Sequence, residues 1–211
     1  MHQKLASRIS IALHPILIPL CLELFLLFLS KAGIWLPFKG KVMLIAFIGI
    51  FTVIFPAMWI YYLYKSEYIR SLYMKKREER LIPLLISFIS FLLLTLILIF
   101  KLRMGPLIVV SFSSMSTLIF ILLCISFFHK ISLHTATLAG SLGILLAIRK
   151  YEPVGTDLLN APVIFFTIAL GLVMSARLSL QAHTKTEVYS GTAVGLAVCY
   201  GVTALLLHFI A

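Results

Sequence analysis

The sequence contains few charged residues. Asp, Glu, Lys and Arg make up 12% of its 211 residues, whereas a soluble domain carries about 25%. Hydrophobic residues make up 62%, and they form long uniform runs rather than the two-residue alternation of outer-membrane strands. These properties exclude a soluble globular domain, a disordered chain and a nucleic-acid-binding domain. They predict a polytopic helical membrane protein that contacts the lipid bilayer and has no nucleic-acid partner.

Cysteine and acidic residues are also scarce. The three cysteines, Cys21, Cys124 and Cys199, lie far apart in apolar runs and form no CxxC pair, which indicates packing roles rather than disulfides. The 7 acidic residues are too few and too dispersed for a metal site, so we expect neither a metal nor a cofactor. HExxH, P-loop and GxSxG motifs are missing from the sequence, which argues against a zinc protease, a nucleotide-binding loop and a serine hydrolase.

Positive charges outnumber negative ones. The 18 Lys and Arg against 7 Asp and Glu give a formal net charge of +11, which in a membrane protein is typical of cytoplasmic loops and of contacts with anionic headgroups. Lys4 and Arg8 precede the first apolar run, but a signal-peptide cleavage site does not follow, so we interpret the run as a retained helix. The compact chain without sorting signals predicts a multi-pass protein of the bacterial inner (cytoplasmic) membrane.

Seven apolar segments predict one all-α domain over residues 1–211, a transmembrane bundle with six to seven spans. Segments three and four form a hairpin, as do segments five and six, so three polar loops should meet on one membrane face. The third and fifth segments are also compatible with shallow or re-entrant helices. Gly and Ala in the last three segments predict close packing, whereas the first segments should face lipid. The segments are roughly 10–30, 42–64, 82–100, 105–129, 133–149, 160–177 and 189–210.

A cluster of polar residues joins the sixth and seventh segments. Arg177 ends the sixth, and His183 and Glu187 are four residues apart at the start of the seventh, which places them on one face of a helix. A carboxylate beside an imidazole fixes its tautomer and raises its basicity, as a histidine nucleophile requires. A nearby arginine can hold a phosphoryl group through two hydrogen bonds.

Two further clusters should lie on the same face. His134 opens the fifth segment two residues after Ser132. A histidine there can donate a proton to a leaving oxygen, and the serine hydroxyl can bind a phosphate oxygen. Lys76, Arg77 and Arg80 offer cations before the third segment. Together these side chains suit phosphoryl transfer without a metal.

The cluster before the seventh segment resembles the last motif of the type 2 phosphatidic acid phosphatase (lipid phosphate phosphatase) superfamily, SRxxxxxHxxxD. Arg177, His183 and Glu187 keep its spacing, with Glu in place of the Asp and Ala176 in place of the Ser. The similarity covers the chain from about Arg70 to Glu187, within a motif-bearing core of about residues 70–210.

The other motifs of that family are KxxxxxxRP and PSGH, and they occur here in the family's order. Ser132 and His134 keep the Ser and His of PSGH, with Leu133 in place of the Gly. The first motif is kept least, because Arg80 is followed by Pro83 rather than by an immediate Pro and the Lys is missing.

The resemblance implies an integral-membrane phosphatase with that family's core, acting on a lipid phosphate or diphosphate as substrate. His183 would form a phosphohistidine, Glu187 would orient it, and His134 would protonate the leaving lipid oxygen. The phosphate-binding residues that it implies are Arg177, Ser132, Arg80, Arg77 and Lys76.

Alternatives stay open. Leu133 and the incomplete first motif also fit a non-catalytic protein that binds anionic lipid headgroups. A small transporter or scaffold is a third hypothesis, to which the similarity of residues 134–137 and 183–186 lends weak support. His183 and Glu187 are also compatible with a weak surface pair, and residues 75–80 with a solvated loop. The sequence leaves open the lipid, the membrane side and the oligomeric state.

Overall fold

All regular secondary structure in the described part of the chain is helical. A computed structural model describes residues 1–29, 36–71, 74, 77–151 and 156–210, and within them it contains helices, turns and bends but no strand. The prediction of an all-α protein is therefore confirmed.

Nine α-helices occur in these residues, and each predicted apolar segment contains or overlaps at least one. A π-helix, Ile50–Ile54, joins α3 to α4, and the 3-10 turns Glu78–Arg80 and Thr156–Leu159 lead into α5 and α8. The α-helices are α1 Gln3–Ala12, α2 Ile18–Leu29, α3 Phe38–Gly49, α4 Phe55–Lys65, α5 Leu81–Phe100, α6 Pro106–Ser126, α7 Leu133–Tyr151, α8 Asn160–Ser179 and α9 Lys185–Ile210.

Five of the described helices are long and apolar enough to cross a membrane. They make the chain a multi-pass membrane protein whose outer surface contacts lipid. These helices are Phe38–Lys65, Glu78–Phe100, Pro106–Ser126, Asn160–Ser179 and Lys185–Phe209.

The first predicted segment is not one helix. It is divided into α1 and α2 by a turn in which His14 N–H donates to Ile11 O (3.2 Å) and Leu17 N–H donates to His14 O (2.9 Å). Pro15 lies in this turn, where its ring and its missing N–H disfavour a continuous helix. The apolar α2 that follows has 12 residues, which is short for a complete span.

The fifth predicted segment is α7, the central helix of the bundle. It packs most extensively on α9 and also contacts α8, α6 and α2. These neighbours shield it from lipid, so small and polar residues are tolerated along its buried length, including Thr135, Gly140 and Ser141. This explains why α7 is less apolar than the five helices above, although it has 19 residues.

Glycines bring α7 and α9 into close contact. A Cβ at Gly195 of α9 would lie 2.1 Å from Ala136 O, and a Cβ at Gly143 of α7 would lie 2.8 Å from Leu196 O. In α8, by contrast, a Cβ at Gly171 would meet nothing within 4 Å. The close approach predicted from these glycines therefore occurs between α7 and α9, and Gly171 of α8 takes no part in such a contact.

One end of the bundle gathers the polar residues. The end of α1, the start of α5, the end of α6, the starts of α7 and α9 and the end of α8 all meet there, as hydrogen bonds between them show. The α1–α2 turn joins them through the ring contact of His14 with His134. We call this region the polar end.

Candidate functional site

His183 and Glu187 form a buried pair at the polar end. His183 lies between α8 and α9, and its Nδ1 is 2.5 Å from Glu187 Oε2 in the first turn of α9. The imidazole is 2% exposed and the carboxylate 14% exposed. Thr184 caps α9 by accepting a 3.3 Å hydrogen bond from Glu187 N–H. The cap fixes where the helix begins, and so fixes the carboxylate against the ring.

The loop between α6 and α7 holds this pair from the other side. Lys130 Nζ lies 3.8 Å from Glu187 Oε2 and donates to Ala182 O at 3.4 Å. Ser132 N–H donates to Glu187 O at 3.1 Å. The starts of α7 and α9 are therefore joined at the pair.

The hydrogen bond to Glu187 selects the tautomer of His183. A carboxylate accepts from Nδ1–H, which leaves the lone pair on Nε2. Burial lowers the pKa of His183; the hydrogen bond to Glu187 opposes this effect, and the positive charges of Arg177 and Arg80 add to it. A ring with a lowered pKa stays neutral at physiological pH, as a nitrogen nucleophile must.

Four of the predicted site residues line one cavity of about 160 Å³. They are Arg80, His134, Arg177 and His183, and they come from the start of α5, the start of α7, the end of α8 and the loop before α9. The hairpin topology predicted from the sequence would bring these same chain positions together.

Arg80 and Arg177 differ in the partners of their N–H donors. Arg80 is 7% exposed, and its Nε and Nη1 donate to Met74 O (3.0 Å) and Ile131 O (3.1 Å). Arg177 Nη1 donates to Ser10 Oγ at 2.9 Å. Its Nε is buried and has no partner among the described residues. A guanidinium with an unpartnered donor is suited to receive an anion.

His134 and Ser132 differ in their surroundings. His134 Nε2 lies 3.2 Å from Ser10 O and 3.4 Å from Ser10 Oγ, and its ring stands edge-on to His14 with centroids 5.4 Å apart. Ser132 is completely buried, and its Oγ has no partner in the described ranges.

The remaining predicted phosphate ligands lie elsewhere. Arg77 is at the surface, where it pairs with Glu78 (2.8 Å) and donates from Nη1 to Phe128 O (2.9 Å) just beyond α6. It does not line the cavity. Lys76 lies outside the described residues.

Three polar residues at this end were not among the predicted site residues. Ser10 comes from α1, His14 from the α1–α2 turn and Lys130 from the loop before α7. The contacts of Ser10 join residues 124 and 167 positions apart, a separation that local spacing cannot reveal. Lys130 was within reach of the sequence argument, because it lies in the same cluster as Ser132.

Comparisons of the chain with protein-family models, with curated proteins and with solved structures found no match. The function is therefore inferred from the residues of this site.

Proposed function

We propose that the protein is an integral-membrane phosphatase that hydrolyses a lipid phosphate or diphosphate through a phosphohistidine at His183. The single observation that carries this proposal is the hydrogen-bonded pair of His183 and Glu187 beside the cavity that Arg80, His134 and Arg177 also line. The cavity thus combines a candidate nucleophile, a candidate proton donor and two cations.

In the first step, His183 Nε2 attacks the phosphorus atom and forms a P–N bond. The P–O bond to the lipid breaks with its electron pair on the leaving oxygen, which takes a proton from the imidazolium form of His134 and leaves that ring neutral. Glu187 accepts the hydrogen bond from Nδ1–H and offsets the positive charge on the phosphorylated ring. In the second step, His134 takes a proton from water, the oxygen attacks phosphorus, and the P–N bond breaks to release phosphate and restore the His183 lone pair.

The arginines stabilise the transferring phosphoryl group. Its transition state carries negative charge on the equatorial oxygens, which fixed cations bind more tightly than the ground state. Arg177 Nε is one donor that can do this without breaking a described hydrogen bond. Arg80 adds positive charge at the cavity while its two hydrogen bonds to carbonyl oxygens hold it in place.

A lipid is favoured as substrate because the cavity wall becomes apolar away from the polar end. Phe91 of α5 and Met115, Ile119 and Leu122 of α6 line it. Phe91 lies ten residues beyond the first residue of α5, so at 1.5 Å per residue the wall reaches about 15 Å along the helix. An acyl or isoprenoid chain would lie there with its phosphate at the polar end.

The fold proposed with this function has six spans and the core of the type 2 phosphatidic acid phosphatases. The sixth span is α7, whose 19 residues measure about 28 Å, close to the hydrocarbon thickness. It begins at the polar end, and α8 returns there, so α7 has to cross between them. We place this bundle in a bacterial inner membrane.

A second candidate function is non-catalytic binding of anionic headgroups. Leu133 lines the cavity where the similar family has Gly, and a leucine side chain takes room that a phosphate would use. In this case headgroups would bind without turnover.

Phosphate release from phosphatidic acid, phosphatidylglycerol phosphate and undecaprenyl diphosphate tests the proposal. The detergent-purified protein is assayed with chelator, beside His183→Ala and the control His208→Ala, an exposed histidine near the other end of α9. We expect His183→Ala to lose on the order of 10³-fold or more in turnover, as nucleophile removal does, and His208→Ala to keep it. Release that persists in folded His183→Ala contradicts the mechanism, and headgroup binding without release by the wild type supports the second candidate.

A further inference from the structure

The end of α1 and the α1–α2 turn contact residues that line the cavity. Ser10, the last buried residue of α1, accepts a 2.9 Å hydrogen bond from Arg177 Nη1. Its carbonyl and hydroxyl oxygens are 3.2 and 3.4 Å from His134 Nε2. One residue of α1 therefore links the cation at the end of α8 to the histidine at the start of α7.

His14 follows one turn later and lines the same cavity. Its Nδ1 accepts a 3.3 Å hydrogen bond from Ile16 N–H, so in the neutral ring the proton is on Nε2. The residue is exposed, and its ring stands at 76° to the ring of His134. The hydrogen bond from the Ile16 backbone thus selects the tautomer of His14 that carries its proton on Nε2. This donor nitrogen belongs to a ring that contacts His134, the proposed proton donor.

We propose that His14 is a further phosphate-binding residue, which donates Nε2–H to a phosphoryl oxygen, and that Ser10 is a positioning residue that aligns Arg177 and His134 with that oxygen. The inference rests on the proposed function for the identity of the ligand, a phosphate monoester or diphosphate.

The geometry favours this role over packing alone. An aromatic contact needs only the face or edge of the ring, whereas the hydrogen bond from Ile16 N–H to Nδ1 selects one tautomer and leaves a donor available. Arg177, whose buried Nε has no partner among the described residues, lines the same cavity as His14. A phosphoryl group has enough acceptor oxygens to bind both donors at once.

The test measures binding rather than turnover. Two ligands are titrated into the detergent-solubilised full chain: inorganic phosphate, and phosphatidic acid in mixed micelles with phosphatidylcholine micelles as the blank. His14→Phe keeps an aromatic ring but removes the donor, and His14→Gln restores an N–H donor. Ser10→Ala removes the hydroxyl, Ser10→Thr restores it, and Ser7→Ala is the control on the same helix. Circular dichroism and size-exclusion chromatography establish that each variant is folded.

We expect His14→Phe to weaken binding of both ligands about tenfold, as the loss of a hydrogen bond to a charged group does. His14→Gln should recover most of this loss. Ser10→Ala should weaken binding severalfold, with recovery in Ser10→Thr and no change in Ser7→Ala.

Three outcomes would overturn the inference. Wild-type affinity in folded His14→Phe would reduce His14 to a packing residue. A loss confined to the lipid arm would show that His14 contacts some other part of the lipid. Folded wild-type protein that binds neither ligand would also exclude a phosphate-binding His14. The phosphatase proposal is decided separately, by phosphate release and its dependence on His183, so failure of one is distinguishable from failure of the other.

Discussion

Two glutamates of the described helices, the partly buried Glu187 and the fully buried Glu23, have opposite surroundings. Glu187 is near the surface of the polar end, where its carboxylate contacts His183 at 2.5 Å and Lys130 at 3.8 Å. Glu23 lies in α2 and is 1% exposed. Its Oε1 accepts a 2.5 Å hydrogen bond from Ser111 of α6, and its Oε2 has no partner among the described residues.

The two surroundings distinguish the carboxylate that the proposed mechanism uses from one whose described contact is with another helix. A buried negative charge is expensive unless cations and hydrogen bonds offset it. Glu187 has a histidine and a lysine beside it and a cavity next to the histidine, so its charge can influence a reaction. Glu23 faces a neutral hydroxyl, so its described contact joins α2 to α6.

Substituting both glutamates by glutamine gives the largest expected contrast. Glu187→Gln keeps the size but removes the charge that orients His183, so we expect phosphate release to fall on the order of 10²-fold, as the loss of a carboxylate that orients a histidine does. Glu23→Gln keeps an acceptor for Ser111 and should leave release within about twofold. Initial rates per folded molecule measure both. Equal losses in the two variants would abolish the distinction between the carboxyls.

The position of the Glu187 carboxylate also depends on Gly191, one turn further along α9. A Cβ at Gly191 would lie 2.7 Å from Ser132 O and 2.6 Å from Thr135 Oγ1, so Gly191→Ala has to push α9 away from α7. We expect a loss of stability of about 1–3 kcal/mol and roughly tenfold slower release, because small displacements of catalytic groups are costly.

Gly201→Ala is the matched control, since a Cβ there meets nothing within 4 Å. Thermal unfolding in detergent and the release assay measure both variants. A Gly191→Ala protein as stable and active as Gly201→Ala would mean that close approach of α7 and α9 does not position the carboxylate.

Lys130 sharpens the comparison with a smaller effect. Its side chain is 31% exposed and its ion pair with Glu187 is long, and partly exposed pairs contribute about 1 kcal/mol or less. Lys130→Ala should therefore slow release only about two- to fivefold, against no change for the exposed Lys101→Ala at the other end of α5. A loss as large as that of Glu187→Gln would make Lys130 part of the chemistry.

The sequence predicted those features of the fold and of the candidate site that depend on residues close together in the chain. Apart from the first segment, which the turn at Pro15 divides, the apolar runs predict helices at the correct places. The four-residue spacing of His183 and Glu187 predicts their contact. Both predictions depend on neighbouring residues only. Arg80, His134 and Arg177 are brought to the same cavity as the hairpins require. Their roles in catalysis stay predictions.

Other features depend on tertiary contacts that a single sequence does not contain. Ser10 meets Arg177 across most of the chain, and α7 has its low hydropathy because other helices cover it. Arg77 has a charge and a position that suit a phosphate ligand, yet it donates to Phe128 O at the surface. In each case the surroundings of a side chain or helix result from packing between elements that are distant in the sequence, and the local pattern does not reveal them.

The smallest expected effect is a shift in the titration of His183. Burial lowers its pKa and the bond to Glu187 opposes that shift, so the ring should titrate below the ordinary histidine value of about 6.5. Removing the opposing charge in Glu187→Gln should move the midpoint further to low pH, whereas Glu23→Gln should leave it unchanged. NMR titration of the histidine rings, with the His183 signal assigned by its absence in His183→Ala, measures the midpoint. A midpoint at or above 6.5 in the wild type, or a move to higher pH in Glu187→Gln, would contradict the buried pair as the source of a neutral nucleophile.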